Sequence, residues 1–137
     1  RSARPDDDQF GKFNGLGGKM LPDEDAATCM IREIREEAGV DALAMTLRGT
    51  VNWSNFGPRR ENWLGFIFRI DAFSGDVRRA SPEGPLSWVE LKDLPTLPMW
   101  EGDRHFLPLV FDADPRPFHG FMPYDGGKPL DWSFVRM

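Results

Sequence analysis

Cysteine, basic charge and long apolar runs are scarce in this chain, and each scarcity narrows the range of possible functions. Cys29 is the only cysteine among 137 residues, so no intrachain disulfide can form and cysteine-based zinc patterns are absent. A reducing, cytoplasmic location is therefore expected. The net charge is −5, which argues against a nucleic-acid polymer as partner, because such a partner calls for a basic patch. No stretch is apolar and long enough to span a bilayer, and residues 1–10 lack the apolar centre of a signal peptide, so no membrane association is expected.

The chain nevertheless has enough apolar residues to build a core. Hydrophobic residues make up 40% and aromatic residues 12% of a length that suits one domain over residues 1–137. The predicted elements are a short strand or turn over 12–20, helices over 25–38 and 103–111, strands over 47–55, 62–73 and 86–91, and a closing hairpin around Asp125-Gly126-Gly127. The strand over 62–73 is nearly all apolar and is expected to be central. This mixture predicts an α/β or α+β fold.

Three glutamates crowd one face of the first predicted helix. Glu33, Glu36 and Glu37 stand at spacings i, i+3 and i+4, where neighbouring side chains lie close together and like charges repel. The adjoining apolar stripe, which is expected to pack on a sheet, comprises Ala27, Met30, Ile31, Ile34 and Ala38. Taken alone, the glutamates fit either a solvated helix face or a site for a hard divalent cation, which takes oxygen ligands.

The residues around the glutamates decide between these interpretations. Gly18 is followed after five residues by Glu24, after seven more by Arg32-Glu33-Ile34, and then by Glu36-Glu37 and Gly39-Val40. This spacing, over residues 18–40, resembles the Nudix box at every defined position. The chain resembles the Nudix hydrolases, and the resemblance implies a mixed β-sheet sandwiched between helices. It also implies cleavage of a nucleoside diphosphate derivative by an activated water, with Mg²⁺ or Mn²⁺ as the metal.

The resemblance also implies roles for individual residues. The metal ligands would be Glu33, Glu36, Glu37 and Glu83, together with the backbone carbonyl of Gly17. Arg32 would hold a glutamate in place as part of the catalytic set, Glu24 would brace the loop–helix–loop, and Lys19 would neutralise phosphate. The general base stays open between Glu36, Glu37 and a later glutamate.

Further motifs resemble the MutT-type oxidised-purine nucleoside triphosphatases, the hydrolases of 8-oxo-dGTP and 2-hydroxy-dATP. The segments "FNGLGGK", "LPMWEGDRHFLPLVF" and "FHGF" occur in the order and spacing of that subfamily. The resemblance implies a purine pocket formed by Asn14, Trp53, Trp100, Asp103 and Phe106. It implies release of a nucleoside monophosphate and pyrophosphate, and a role in nucleotide-pool sanitation. Gly102 and Asn62 depart from the subfamily, which has an acid and a methionine at these positions.

Several alternatives stay open at the level of sequence. Asp103 also suits an N-cap of the second helix, and Asn14 a turn. Trp53 and Trp88 also suit a core, which is the preferred interpretation for Trp88, and Cys29 is expected to be buried and inert. The substrate could be a dinucleoside polyphosphate, a nucleotide sugar or an ordinary dNTP. A nucleotide-sensing module without catalysis is disfavoured because all three box glutamates are present.

The start of the chain leaves little room for one expected strand. The resemblance implies a strand that precedes the "GGK" turn and pairs within the central sheet, and only its end could fit in residues 1–10. We therefore expect the chain to lack one strand or hairpin of the full domain.

Overall fold

The computed structural model describes residues 11–137, which form two compact units. Unit 1 comprises residues 11–44 and 70–100, and unit 2 comprises residues 45–69 and 101–137. The elements are α1 (Ala26–Ala38), β1 (Asp41–Phe56), β2 (Glu61–Ser74), β3 (Ala80–Ser81), β4 (Gly84–Pro85), a 3₁₀ helix (Leu91–Thr96), α2 (Asp103–Phe111), β5 (Phe118–Asp125), β6 (Lys128–Pro129) and β7 (Ser133–Arg136). The expectation about an N-terminal strand falls on residues 1–10 and lies outside the described residues. The assignment of residues 1–137 to one domain stays a prediction.

Helix α1 begins and ends at local signals in unit 1. The Asp25 side chain accepts a hydrogen bond from the Thr28 N–H at 2.7 Å, and Gly39 ends the helix in the left-handed conformation with φ 74°. The predicted helix over 25–38, with its stop at Gly39, is confirmed to within one residue. A small core forms where Ile34 and Ala38 pack with Val40.

The buried face of α1 differs slightly from the predicted stripe. Ala27 is exposed, so its place in the stripe was wrong, whereas Cys29 is buried as predicted. The Cys29 thiol lies 3.9 Å from the Gly18 carbonyl oxygen, so this turn of the helix faces the preceding loop. Burial raises the pKa of the Cys29 thiol.

One predicted strand in unit 1, over 86–91, is absent from the structure of residues 11–137, and of the short strand or turn predicted over 12–20 no strand forms. Residues 12–20 are irregular with a bend at Leu16, and residues 86–90 lead without a strand into the 3₁₀ helix. The Leu86 N–H does bond the Arg79 carbonyl, but no ladder continues from it. Trp88, expected in the core, is 78% exposed and stacks on Phe73 with ring centroids 6.0 Å apart. A segment of strand-like composition does not form a strand where no partner backbone is available.

The strands are ordered β2-β1-β5-β6, and β7 also pairs with β5. Strands β1 and β5 run parallel from Gly49↔Phe118 to Ser54↔Pro123, whereas β7 pairs with β5 antiparallel. Within the described residues β2 lies at an edge, so the prediction that it is central was wrong. The apolar composition of β2 does not indicate burial here, because apolar side chains of this strand such as Leu64, which is 51% exposed, remain accessible to solvent.

The core of unit 2 lies between α2 and the sheet. Val51, Phe118 and Met122 are fully buried on the strands, and Phe106 and Val110 of α2 pack with them. Helix α2 is confirmed over 103–111.

The closing hairpin is also confirmed. Strands β5 and β6 pair through Tyr124↔Pro129 and Asp125↔Lys128, and the two glycines of the turn, Gly126 and Gly127, have φ values of 56° and 81°. Together with the helices, the sheet gives the mixed α and β fold that the sequence predicted. Among residues 11–137, no helix combines the length and the apolar character needed to cross a membrane.

Candidate active site

The glutamates of α1 and Glu83 share one region of unit 1. Glu37 accepts a hydrogen bond from the Gly17 N–H at 3.0 Å, so it faces the glycine loop that precedes the helix. Burial raises the pKa of Glu37 to about 7; the Gly17 hydrogen bond lowers this pKa, and repulsion from Glu33, Glu83 and Glu36 adds to the rise. Three carboxylates therefore act on Glu37 within this region.

Arg32 binds three of the acidic side chains of the predicted box. Its guanidinium donates to both carboxylate oxygens of Glu24, at 2.7 and 3.0 Å, and to Glu33 at 2.9 Å and Glu36 at 3.1 Å. A further bond reaches the Lys19 carbonyl at 3.2 Å. The Arg32 hydrogen bonds lower the pKa of Glu24 to about 2, helped by the Leu21 N–H. Arg32 thus fixes the loop, through Glu24 and Lys19, to the helix that carries the glutamates.

Two contacts around this cluster were not apparent from the sequence. A Cβ atom at Gly18 would lie 2.2 Å from a Glu33 carboxylate oxygen, so Glu33 uses the space that a side chain would fill. Arg78 donates to the Glu36 carbonyl at 3.0 Å and so satisfies the C-terminal end of α1. The Gly18 contact follows from the box spacing only in hindsight, and nothing in the sequence singles out Arg78, which is 42 residues from Glu36.

The donor set suits a divalent cation, although its present arrangement is not a ready-made metal site. Carboxylate oxygens are the ligands that Mg²⁺ takes, and a cation would offset the repulsion among them. Within the described part of the chain, however, no three histidine, cysteine, aspartate or glutamate side chains are arranged to hold a metal ion. Glu33 and Glu36 accept hydrogen bonds from Arg32, and Glu37 accepts one from the Gly17 N–H. The metal-ligand assignments, including the Gly17 carbonyl and Glu83, stay predictions.

The remaining predicted substrate residues of unit 1 lie on the loops around α1. Trp100 is half-buried, and the Lys12 ammonium stands 3.9 Å from its ring centroid. The backbone between them is joined where the Phe13 N–H donates to the Pro98 carbonyl at 2.7 Å. Asn14 and Lys19 are exposed.

In unit 2, Trp53 and Phe106 pack edge to face with ring centroids 6.2 Å apart. Phe106 belongs to the buried core and Trp53 packs against it. Asp103 is the first residue of α2, and burial raises the pKa of its carboxyl group to about 6. The alternative prediction that Asp103 caps this helix was wrong, because the N-cap is Gly102 and no side chain caps the helix.

The two departures from the MutT-type pattern have structural explanations in unit 2. A Cβ atom at Gly102 would lie 2.5 Å from the Tyr124 hydroxyl and 2.6 Å from the Met122 sulfur, and both side chains are buried. An acidic side chain therefore has no room at position 102. The Asn62 side chain accepts a hydrogen bond from the Asn55 N–H at 3.3 Å, a contact that methionine could not make.

Comparison with known proteins identifies the class to which this site belongs. The NUDIX domain model matches residues 1–110, so the chain belongs to the Nudix family. It is a hydrolase acting on pyrophosphate bonds, with the Nudix fold of mixed α+β type that the sequence predicted.

Two relatives and one solved structure show which Nudix proteins this chain is similar to. An uncharacterised Nudix hydrolase, YvcI, of Bacillus subtilis is 32% identical over 110 residues, covering 79% of this chain and 69% of the relative. The oxidized purine nucleoside triphosphate hydrolase of Danio rerio is 28% identical over 116 residues, covering 85% and 72%. The crystal structure of a mutator MutT protein from Bacillus halodurans matches with a TM-score of 0.79 and 26% identity, covering 90% of this chain and 82% of the other. Nudix hydrolases generally use a divalent metal such as Mg²⁺ and act on small nucleotide substrates.

Proposed function

We propose that this chain is a Mg²⁺-dependent pyrophosphohydrolase for purine nucleoside triphosphates, oxidised ones such as 8-oxo-dGTP in particular. It releases the nucleoside monophosphate and pyrophosphate, and its role is sanitation of the cytoplasmic nucleotide pool. The observation that carries the chemistry is the position of Glu37, which bonds the Gly17 N–H of the glycine loop and is repelled by Glu33, Glu36 and Glu83. The similarity to the Danio rerio enzyme and the Bacillus halodurans MutT protein supports the substrate class.

In this proposal, the four glutamates and the Gly17 carbonyl hold the metal. The metal, when bound, polarises the phosphoryl oxygens and acidifies a water molecule. Arg32 keeps Glu33 and Glu36 in position, since it already bonds both carboxylates. Lys19 contributes positive charge for the phosphates. Such preorganised charge carries most of phosphoryl-transfer catalysis.

We assign the nucleobase to a set of aromatic and polar side chains. Trp100 supplies a ring face for stacking, which is worth about 1–3 kcal/mol per base in single-strand binders. Asn14 and Asp103 supply hydrogen-bonding groups for the base edge, and Trp53 and Phe106 supply apolar surface. Buried polar groups discriminate strongly between bases because a mismatched analogue leaves them unpaired.

The direct test is hydrolysis of 8-oxo-dGTP beside dGTP, with and without Mg²⁺ and with product identification. We expect monophosphate plus pyrophosphate, and a higher kcat/KM for 8-oxo-dGTP. Glu37→Gln should lower kcat by about 10²-fold or more, as expected when a group needed for chemistry is lost. Glu90→Gln is the matched control, because Glu90 is exposed and pairs only loosely with Lys92 at 3.6 Å. Equal, feeble rates on both nucleotides would reject the sanitation role.

A second candidate is a Nudix hydrolase for another nucleoside diphosphate derivative. The observation that favours it is the lack of space for an acid at Gly102, which alters the predicted purine reader. A panel of dinucleoside polyphosphates, nucleotide sugars and ordinary dNTPs separates the two candidates by their kcat/KM values. A nucleotide sensor without catalysis would bind a panel member with no turnover at any metal concentration.

A further inference from the structure

The hydroxyl group of Tyr124 occupies the space beside Gly102. Tyr124 lies near the end of β5 and is 6% exposed, and its oxygen stands 2.5 Å from the position of a Cβ atom at Gly102. Any side chain at position 102 would project onto this hydroxyl. Glycine at 102 and tyrosine at 124 are therefore a matched pair in this chain.

The Tyr124 ring is held in one orientation. It packs edge to face on Phe56, with ring centroids 5.0 Å apart and an interplanar angle of 87°. The Asn55 side-chain amide donates to the Tyr124 carbonyl at 3.1 Å, which fixes the backbone. A buried tyrosine fixed at both ring and backbone presents its hydroxyl at a defined point.

The carboxyl group of Asp103 acts electrostatically on the Tyr124 hydroxyl. Asp103 directly follows Gly102, whose Cβ position lies 2.5 Å from the Tyr124 hydroxyl, and the charges of Asp103 and Glu101 add to burial in raising the pKa of Tyr124. A hydroxyl both donates and accepts hydrogen bonds, whereas an ionised carboxylate only accepts. Together they offer a donor and acceptors beside the start of α2.

We propose that the Tyr124 hydroxyl, together with the Asp103 carboxyl group, reads the edge of the nucleobase, in place of any side chain at position 102. The inference rests on the proposed function, in which Asp103 contacts the base. A donor beside an acceptor suits an edge with a carbonyl oxygen next to an N–H, as in 6-oxopurines and oxidised purines. Unmodified adenine, which has an amino group at position 6 and no ring carbonyl, lacks that arrangement.

The kinetic test compares Tyr124→Phe with the unmodified chain on 8-oxo-dGTP, dGTP and dATP. Phenylalanine keeps the ring contact with Phe56 and removes only the hydroxyl. We expect kcat/KM to fall about tenfold for the two oxopurine nucleotides, through KM rather than kcat, and to change little for dATP. Thr50→Val is the matched control, because it removes a hydroxyl that pairs with His119 at 2.7 Å in the same sheet. It should leave kcat/KM unchanged for 8-oxo-dGTP, dGTP and dATP.

A spectroscopic test uses the fact that Tyr124 is the only tyrosine in the chain. A protein labelled with 3-fluorotyrosine gives a single ¹⁹F resonance from this position. We expect that resonance to shift when dGMP is added with Mg²⁺, and to stay in place when inorganic pyrophosphate is added with Mg²⁺. A resonance that ignores dGMP at saturation would overturn the inference.

The outcomes separate this inference from the proposed function. If purine nucleotides are hydrolysed and Tyr124→Phe acts on all of them like the unmodified chain, the proposed function stands and the inference is overturned. An equal loss on all three nucleotides also overturns it, because the hydroxyl would then support the site without reading the base. If no nucleoside triphosphate is hydrolysed, the proposed function fails, and the response of the ¹⁹F resonance to dGMP decides the inference by itself.

Discussion

At the scale of single residues, Gly18 determines where the Glu33 carboxylate lies. A Cβ atom at Gly18 would approach a Glu33 oxygen to 2.2 Å, whereas one at Gly15 meets nothing within 4 Å. Because the obstacle is the end of a side chain, Gly18→Ala should fold normally but displace Glu33. We expect kcat to fall about 10²-fold, the loss typical of a misplaced catalytic group, with a thermal midpoint close to that of the unmodified chain. Gly15→Ala is the control, and full activity in Gly18→Ala would show that Glu33 tolerates displacement.

The carboxyl group of Asp103 should make the stability of the folded protein depend on pH. Burial raises its pKa from the ordinary value of 3.8 to about 6, so the folded protein binds this proton more tightly than the unfolded chain does. Unfolding then releases a proton between about pH 4 and pH 6, and stability falls as pH rises through that window. The penalty approaches about 3 kcal/mol above pH 6 at 1.36 kcal/mol per pKa unit.

We expect Asp103→Asn to remove most of this penalty. The free energy of unfolding, measured with denaturant from pH 4 to pH 8, should be higher for the variant at pH 8 and similar at pH 4. Part of the gain is offset, because an acid in the first turn of a helix interacts favourably with the helix dipole by about 0.3–1 kcal/mol. Asp93→Asn, in the exposed first turn of the 3₁₀ helix, is the comparison variant. Parallel pH profiles for Asp103→Asn and the unmodified chain would refute the assignment.

At the scale of elements, the helices followed from the sequence better than the strands. The ends of α1 depend on Asp25 and Gly39, which lie next to the helix, so a local pattern was enough to place them. The edge position of β2 and the missing strand over 86–90 depend on which backbones are available as partners. Composition carries no information about that pairing, and this is why both strand predictions were wrong.

The C-terminal end of α2 depends on a side chain from another element. Arg48 of β1 is 2% exposed and donates to the carbonyls of Leu109, Val110 and Asp114. Removing this guanidinium leaves helix-end carbonyls without a donor, at about 1–3 kcal/mol for each buried group left unsatisfied. We therefore expect Arg48→Met to lower the free energy of unfolding by about 3 kcal/mol or more. Arg59→Met is the control, since Arg59 forms only an exposed ion pair with Glu61 at 3.6 Å. A loss below about 1 kcal/mol for Arg48→Met would contradict this account.

At the scale of the whole molecule, the sequence predicted the family and the chemistry but not the contacts around position 102. The box motif specifies residue types within a short span, and the loop and helix bring those residues together in unit 1. The Gly102–Tyr124 pair, by contrast, joins the N-cap residue of α2 to a residue of β5, and no spacing rule connects them. A motif therefore predicts residues within its own span, while the packing of distant elements determines the surroundings of position 102.

Because the net charge is −5, cations act on the whole molecule as well as on the candidate metal site. Any salt screens this charge, so a specific Mg²⁺ effect has to be measured against NaCl at matched ionic strength. At a Mg²⁺ concentration ten times the dissociation constant, binding to the folded state adds about 1.4 kcal/mol of stability. For a chain of this size we expect the thermal midpoint to rise by about 4 °C. Glu36→Gln should lose most of this rise and Glu90→Gln should retain it, because only Glu36 lies in the acidic cluster. The same rise in NaCl would mean that the cluster is screened rather than bound, and the metal assignments would then fail.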